Sequence, residues 1–140
     1  MRLVLDTNVI VAALRSPAGA SAALLRAARR GEITPLASVA LALEYEATCL
    51  RAEHRLAAGL SERQVILFVD AVIAMAEPVE SHYLWRPQLR DPSDELVLEA
   101  AVNGGAEAIV TFNARDFGSS VGKFALALLT PAEAIRRIGK

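Results

Sequence analysis

Several residue types that mark particular classes of protein are scarce in this chain of 140 residues. The single cysteine, Cys49, cannot form an internal disulfide, and no base stands near it in the sequence, so we expect an inert core thiol in a reducing compartment. The two histidines, His54 and His82, are isolated, which excludes a zinc-type spacing, and we expect both at the surface. No apolar run approaches the ~20 residues of a membrane span, and no signal peptide is visible, so we expect a cytoplasmic protein without a membrane partner.

The chain also lacks an excess of charge of either sign. Lys and Arg number 15 against 16 Asp and Glu, and the net charge of −1 excludes an overall basic field that would attract nucleic acid. Thirteen of the basic residues are Arg, the better bidentate phosphate ligand, although a GC-rich genome would produce the same bias. Aromatic residues make up 5% of the chain. Hydrophobic residues make up 54%, above the usual range of roughly 45–50%, and much of the excess is alanine. That composition fits a helix-rich core or an apolar face covered by another chain.

The hydrophobic pattern predicts strands that alternate with helices. We predict strands at residues 3–5, 33–37, 79–84, 106–111 and 124–129, with Pro35 arguing against full pairing of the second. We predict helices at residues 8–14, 21–30, 38–51, 61–76, 94–102 and from 130 onwards, a short turn or helix at 113–117, and a flexible connector at 118–122. Ser61 with Gln64 and Thr130 with Glu133 predict caps at the starts of the fourth and the last of these longer helices. The alternation predicts an α/β fold with three layers, α/β/α, around a central, mainly parallel sheet of about five strands. No linker or repeat divides residues 1–140, so we expect one domain.

Acidic residues occur where the predicted strands end. Asp6 follows the first strand and Asp116 follows the fourth, while Asp91 and Asp94 precede the helix that leads into the fourth strand. Glu44 lies about two turns into the helix that leaves the second strand. Because parallel strands place their carboxyl ends at one edge of a sheet, we expect these acids to converge there.

Carboxylates brought together without basic partners repel one another. A hard divalent cation removes the conflict, and oxygen ligands suit Mg²⁺ or Mn²⁺, the usual cofactors of phosphodiester cleavage. Each acid also has a simpler explanation, since Asp6, Asp91 and Asp116 can cap helices or turns and Glu44 can face solvent. Their shared placement at one sheet edge favours the metal site.

These motifs resemble the PIN-domain nucleases, and most closely the bacterial group related to the VapC ribonuclease toxins of toxin–antitoxin systems. The resemblance covers nearly the whole chain, and the ordered set of motifs is specific although each one alone is weak. The matching segments are Val4-Leu5-Asp6-Thr7-Asn8-Val9, Ser16-Pro17-Ala18-Gly19, Ser38 with Glu44-Tyr45, Arg90-Asp91-Pro92-Ser93-Asp94-Glu95 with Leu96 and Ala100-Ala101, and Ile109-Val110-Thr111-Phe112-Asn113-Ala114-Arg115-Asp116-Phe117.

The resemblance implies endonucleolytic cleavage of single-stranded RNA that depends on Mg²⁺ or Mn²⁺ and leaves a 5′-phosphate and a 3′-hydroxyl. The catalytic, metal-binding acids that it implies are Asp6, Glu44, Asp94 and Asp116. The supporting residues that it implies are Thr7, Asn8, Asp91, Thr111 and Asn113, with Thr7 and Asn8 holding Asp6 through hydrogen bonds. The candidate phosphate ligands, which flank the acids in sequence, are Arg15, Arg90 and Arg115.

Two of these assignments depend on the resemblance more than on the pattern of residues. Helix periodicity does not distinguish Glu44 from Glu46, and the match to Glu-Tyr at positions 44 and 45 favours Glu44. Some relatives carry an acid at the position of Asn113, so the sequence leaves open whether Asn113 or Asp116 completes the metal site.

The resemblance also implies an RNA substrate, a small antitoxin protein as partner, and a homodimer or larger assembly. Two alternatives stay open: a housekeeping RNA-processing nuclease, and a non-catalytic PIN-like protein that binds RNA or a partner. None of the four acids is lost, which disfavours the non-catalytic alternative. A two-component receiver domain is excluded because its phosphoacceptor Asp after the third strand is missing. A haloacid-dehalogenase-type phosphatase would need an acid in place of Asn8.

Overall fold

Five short parallel strands form the centre of the computed structural model, which describes residues 1–80, 89 and 91–139, with the backbone alone at 119 and 120. The strands are β1 (Arg2–Leu5), β2 (Thr34–Ala37), β3 (Glu77–Pro78), β4 (Ala108–Val110) and β5 (Ala127–Leu129), in the order β3-β2-β1-β4-β5. The helices are α1 (Thr7–Arg15), α2 (Ala20–Arg29), α3 (Val39–Cys49), α4 (Ala52–Ala58), α5 (Glu62–Met75), α6 (Pro92–Gly104), α7 (Ala114–Phe117) and α8 (Pro131–Ile138), with a 3₁₀ helix over Gly118–Phe124.

The order of the strands explains the three layers. The chain moves from β1 to β3 in one direction and then returns to add β4 and β5 on the other side of β1. Right-handed crossovers in opposite directions place their helices on opposite faces of the sheet. Accordingly α1, α2, α3 and α5 pack against one another, while α6 packs on β1, β2 and β4. The predicted three-layer α/β/α fold is confirmed, and the strand order reverses between β1 and β4, where open α/β sheets bind ligands.

Burial and local capping account for most of these elements. Leu3, Val4 and Ile109 in the two central strands have no exposed surface, and each such side chain stabilises the fold by roughly 1.5–3 kcal/mol. The predicted caps at the starts of α5 and α8 are confirmed, since Ser61 and Thr130 each close a capping box. These local patterns fix where the helices begin.

The structure corrects the predicted third strand. It lies at Glu77–Pro78, whereas the prediction was 79–84; residues 79 and 80 are outside any strand, and 81–84 lie outside the described residues. The pairing Leu36↔Glu77 and Ala37↔Pro78 decides the position, and Pro78 is tolerated because β3 is an edge strand. Pro35 is also paired, opposite Leu3 in β1.

Three other local predictions were wrong. The sequence pattern missed α4 and treated its residues as a connection between two longer helices. The predicted flexible connector at 118–122 belongs to a 3₁₀ helix that continues to Phe124, so β5 begins only at Ala127. At both places the structure has helical residues that the sequence pattern did not predict.

Two further features concern Cys49 and the length and polarity of the helices. Cys49 is buried, so its predicted place in the core is confirmed, and burial raises the pKa of its thiol to about 11, which disfavours the reactive thiolate. In the part of the chain that the structure describes, no single helix is long and apolar enough to cross a membrane.

Candidate active site

A cleft of about 320 Å³ lies at the carboxyl ends of β1 and β4, beside the N-terminus of α6. Five acids line it, all of them predicted from the sequence: Asp6, Glu44, Asp91, Asp94 and Asp116. The other lining residues are Thr7, Asn8, Val11, Thr48, Arg51, His54, Ser93 and Asn113. The cleft is therefore strongly acidic in a chain whose overall charge is close to zero.

Asp6 is buried at the reversal in strand order. Its backbone N–H donates to the carbonyl of Val110 at 2.9 Å, which joins the ends of β1 and β4. Its carboxylate does not cap α1; instead Oδ2 accepts a hydrogen bond of 2.6 Å from the Thr111 hydroxyl. Thr111 Oγ1 in turn accepts from the backbone N–H of Asn113 at 2.9 Å. Thr111 thus fixes the orientation of Asp6 and of the segment that follows β4.

The cleft disfavours the ionised forms of two acids. Burial raises the pKa of Asp6, the charges of Asp116 and Asp91 raise it further, and the hydrogen bond from Thr111 opposes the shift. The pKa of Asp94, in the first turn of α6, rises to about 6, mainly through desolvation and then through the charges of the other acids. Desolvation and the neighbouring carboxylates therefore both oppose the ionisation of Asp6 and Asp94.

Glu44 enters the cleft from α3. Its Oε1 accepts a hydrogen bond from Ser93 Oγ at 2.9 Å, so α3 is linked to the start of α6. The next residue, Tyr45, is buried, and its hydroxyl donates to the backbone carbonyl that ends β1. Burial raises the pKa of that phenol, so it stays protonated as a donor. The structure places Glu44 in the cleft, whereas Glu46 does not line it.

The far side of the cleft is built by α7 and the start of α6. Asp116 stands on α7, and the fully buried Phe117 anchors this one-turn helix to the core. Asn113 lines the cleft as well, so both candidates for the fourth position face it. Asp91 Oδ1 accepts from the backbone N–H of Ser93 at 2.9 Å and therefore also caps α6.

The support of Asp6 differs from the expectation. The hydroxyl of Thr7 does not bond to the Asp6 carboxylate, and Thr111 supplies the side-chain hydrogen bond instead. Thr7 Oγ1 and Asn8 Oδ1 are buried and have no hydrogen-bond partner in the described residues. The reason is geometric, since Thr7 and Asn8 already belong to the first turn of α1 while Thr111 directly follows the neighbouring strand β4.

The donor chemistry of the cleft fits a hard cation. Carboxylate, amide and hydroxyl oxygens dominate the lining, and Asn8 Oδ1 is an oxygen acceptor without a partner. Such a set suits Mg²⁺ or Mn²⁺ rather than zinc. Among the described residues, no three Asp, Glu, His or Cys side chains are placed closely enough to hold one ion.

The predicted arginines are not the basic residues of the cleft. Arg15 is exposed at the end of α1 and reaches His54, Arg115 is exposed on α7, and neither lines the cleft. Arg90 lies outside the described residues. Arg51 and His54 line the cleft instead, and the sequence reasoning missed both because it missed α4. The run of helix-forming residues at 52–58 could have revealed that helix.

Comparisons with known proteins agree with this architecture. A family model described as "PIN domain" matches residues 2–115. Among solved structures, the chain is similar to VapBC2 from Rickettsia felis bound to a DNA fragment from their promoter, with 16% sequence identity and a TM-score of 0.60. That match covers 93% of this chain and 98% of the other, and at such low identity it shows the fold alone. No curated protein matches the chain.

Proposed function

The chain belongs to the PIN-domain family, and on that premise we propose that it is a metal-dependent endoribonuclease, the toxin of a type II toxin–antitoxin pair. The observation that carries the proposal is the gathering of five carboxylates in one cleft where the strand order reverses. Single-stranded RNA is the proposed substrate, and the products carry a 5′-phosphate and a 3′-hydroxyl. A fold alone does not imply an activity, so the acids and their environment bear the argument.

The same cleft supports a role for Mg²⁺ or Mn²⁺. Asp6, Asp94 and Asp116 are the proposed ligands, with Glu44 as the fourth acid. When bound, the ion supplies Lewis acidity and lowers the pKa of its water. Thr111 holds the carboxylate of Asp6 in a fixed orientation at 2.6 Å. The raised pKa values of Asp6 and Asp94 support the assignment, because a bound cation would offset both the burial that mainly raises them and the repulsion from the neighbouring acids that adds to it.

An exposed apolar surface supports a protein partner. Val39 and Leu43, one turn apart on α3, are 77% and 60% exposed, and Leu67 on α5 is 59% exposed. The helices α3 and α5 pack side by side, and α3 also carries Glu44. We assign this face to a partner protein, either the small antitoxin or a second copy of the chain, positioned beside the cleft.

Cleavage of labelled single-stranded RNA by the purified protein tests the nuclease proposal. We expect cleavage in Mn²⁺ or Mg²⁺, products with 5′-phosphates, and a loss of at least about 10³-fold in rate with excess EDTA, because the metal contributes several kcal/mol to the barrier reduction. Cleavage that persists in excess EDTA would reject the metal mechanism. No cleavage of any RNA in either metal would reject the nuclease.

Expression in a heterologous bacterial host tests the toxin role. The wild-type protein is expected to slow growth, whereas Asp6→Asn, which removes one charge at the centre of the cleft, is expected to leave growth unchanged. Sequencing of RNA ends from the wild-type culture should show new 5′-phosphate ends at a defined set of sites. Equal growth of the two cultures, combined with cleavage in vitro, would indicate a housekeeping nuclease instead.

A further inference from the structure

One wall of the acidic cleft carries hydrogen-bond donors. Thr48 near the end of α3, Arg51 at the N-cap of α4 and His54 in its first turn succeed one another at intervals of three residues, and all three line the cleft. The backbone N–H of His54 donates to the carbonyl of Arg51 at 3.0 Å, which holds these two residues on one face of the turn. The acids Asp6 and Asp116 line the same cleft.

Arg51 is a cation without a local partner. Its guanidinium makes no ion pair or hydrogen bond with any residue of the described chain, although five acids line the same cleft. By contrast, Arg2 forms a salt bridge with Glu77, and Arg30 forms one with Glu32. Arg51 is therefore available to a ligand that presents an anionic oxygen.

His54 is held in one orientation by Arg15. Arg15 Nη1 lies 3.3 Å from His54 Nδ1, and because a guanidinium can only donate, Nδ1 must be the acceptor. The proton of the neutral ring then resides on Nε2, which becomes a donor. Nε2 lies 3.6 Å from Glu53 Oε1, beyond hydrogen-bond distance, and the side chain of Glu53 is 69% exposed. The imidazole, only 17% exposed, thus keeps an N–H for another ligand.

We propose that Arg51 and His54 bind a phosphate of the RNA strand adjacent to the one cleaved at the acids, and that Arg15 is a positioning residue that acts through His54. The inference rests on the proposed ribonuclease function and names the part of the cleft that takes the substrate backbone. Phosphodiester oxygens are acceptors only, and they match a guanidinium and an imidazole N–H. Such contacts fix the register of the strand without reading its bases, so they act on all sequences alike.

The test of Arg51 is the salt dependence of RNA binding, measured by fluorescence anisotropy with a short single-stranded RNA in EDTA. All proteins carry Asp6→Asn so that cleavage cannot interfere. Arg51→Gln is expected to weaken binding about tenfold and to reduce the slope of log K against log salt by about 0.7, the value for one phosphate contact on a single strand. The matched control is Arg63→Gln, an equal loss of charge at an exposed position on α5 that does not line the cleft.

The positioning role of Arg15 is tested by a double-mutant cycle in the same assay. His54→Phe removes the donor and should weaken binding, and His54→Gln, which keeps an N–H, should restore part of it. Arg15→Gln is expected to weaken binding only while His54 is present, so that the two effects are non-additive. In the active protein, Arg51→Gln should raise KM more than it lowers kcat.

The outcomes separate this inference from the proposed function. If the wild type cleaves RNA but Arg51→Gln changes the salt slope no more than Arg63→Gln does, the phosphate assignment is wrong and the nuclease stands. Additive effects of Arg15→Gln and His54→Phe would overturn the positioning role. If the parent protein binds no RNA at any salt concentration and the wild type cleaves none, both proposals fail.

Discussion

Asp94→Asn is expected to stabilise the metal-free protein at neutral pH by about 1 kcal/mol, a rise in Tm of about 3 °C. The pKa of Asp94 is raised from 3.8 to about 6 by desolvation and by the neighbouring acids. A shift of that size corresponds to roughly 3 kcal/mol in full, and solvent screening of this half-buried carboxyl reduces it to about a third. Asparagine keeps the shape of the side chain and removes the charge that the cleft disfavours.

The sign of the pH dependence follows from the same shift. Between about pH 3.8 and 6 the native protein retains a proton on Asp94 that the unfolded chain has lost. The contribution of Asp94 to the free energy of unfolding therefore falls as pH rises through this window and levels off above it. In thermal melts in EDTA, the Tm of Asp94→Asn minus that of the wild type should grow as pH rises across the window. The matched control is Asp70→Asn, the same change at an exposed position on α5, which should not raise Tm.

Adding Mn²⁺ should make the wild type more stable than Asp94→Asn, the reverse of their order in EDTA. An ion that binds only the native state stabilises it by about 2.7 kcal/mol at one hundred times its Kd, and Asp94→Asn should gain much less because it lacks a ligand. A stability difference between Asp94→Asn and the wild type that does not grow as pH rises from about 3.8 to 6, or an equal gain of the two proteins from Mn²⁺, would contradict the role given to Asp94.

Asp6→Asn is expected to lower the rate of Mn²⁺-dependent RNA cleavage by at least about 10³-fold. Asp6 is the most deeply placed acid of the cleft, 6% exposed, and its carboxylate is oriented by Thr111 at 2.6 Å. An amide can still accept the hydrogen bond from Thr111, so the fold is preserved while the charge is lost. The far-ultraviolet circular dichroism and the Tm of the variant serve as the control for folding.

Local patterns predicted those parts of the fold that local interactions determine. The capping boxes at Ser61 and Thr130 and the buried strand before Asp6 need only neighbours in the sequence, and all three were located correctly. The third strand was misplaced because its position depends on the pairing of Glu77 and Pro78 with β2, some forty residues earlier. No periodicity in residues 77–84 reports that pairing.

The candidate site shows the same division. Each acid could be assigned to one sheet edge because the ends of parallel strands coincide, and the structure places all five in one cleft. The basic residues of the cleft could not be predicted, because Arg51 and His54 reach the cleft only through α4 and its contacts with α1 and α3. The prediction took arginines that are close to the acids in the sequence, whereas the basic residues close to them in space are Arg51 and His54.

The role of Thr111 was underestimated for a related reason. Thr7 is adjacent to Asp6 in the sequence, yet the side chain that holds Asp6 comes from Thr111, 105 positions later and directly after the paired strand β4. A helix that begins directly after Asp6 carries the side chains of Thr7 and Asn8 into its first turn. Support from a neighbouring parallel strand is therefore the general expectation at the end of a central strand.

The central claim is that the acids at the end of β1 and around it form a metal-dependent centre that cleaves RNA. The most direct test is the single-turnover rate of cleavage of one labelled single-stranded RNA in Mn²⁺ by the wild type and by Asp6→Asn, measured side by side. The predicted result is cleavage by the wild type and a rate at least about 10³-fold lower for the folded variant. Equal rates for the two proteins would contradict the claim.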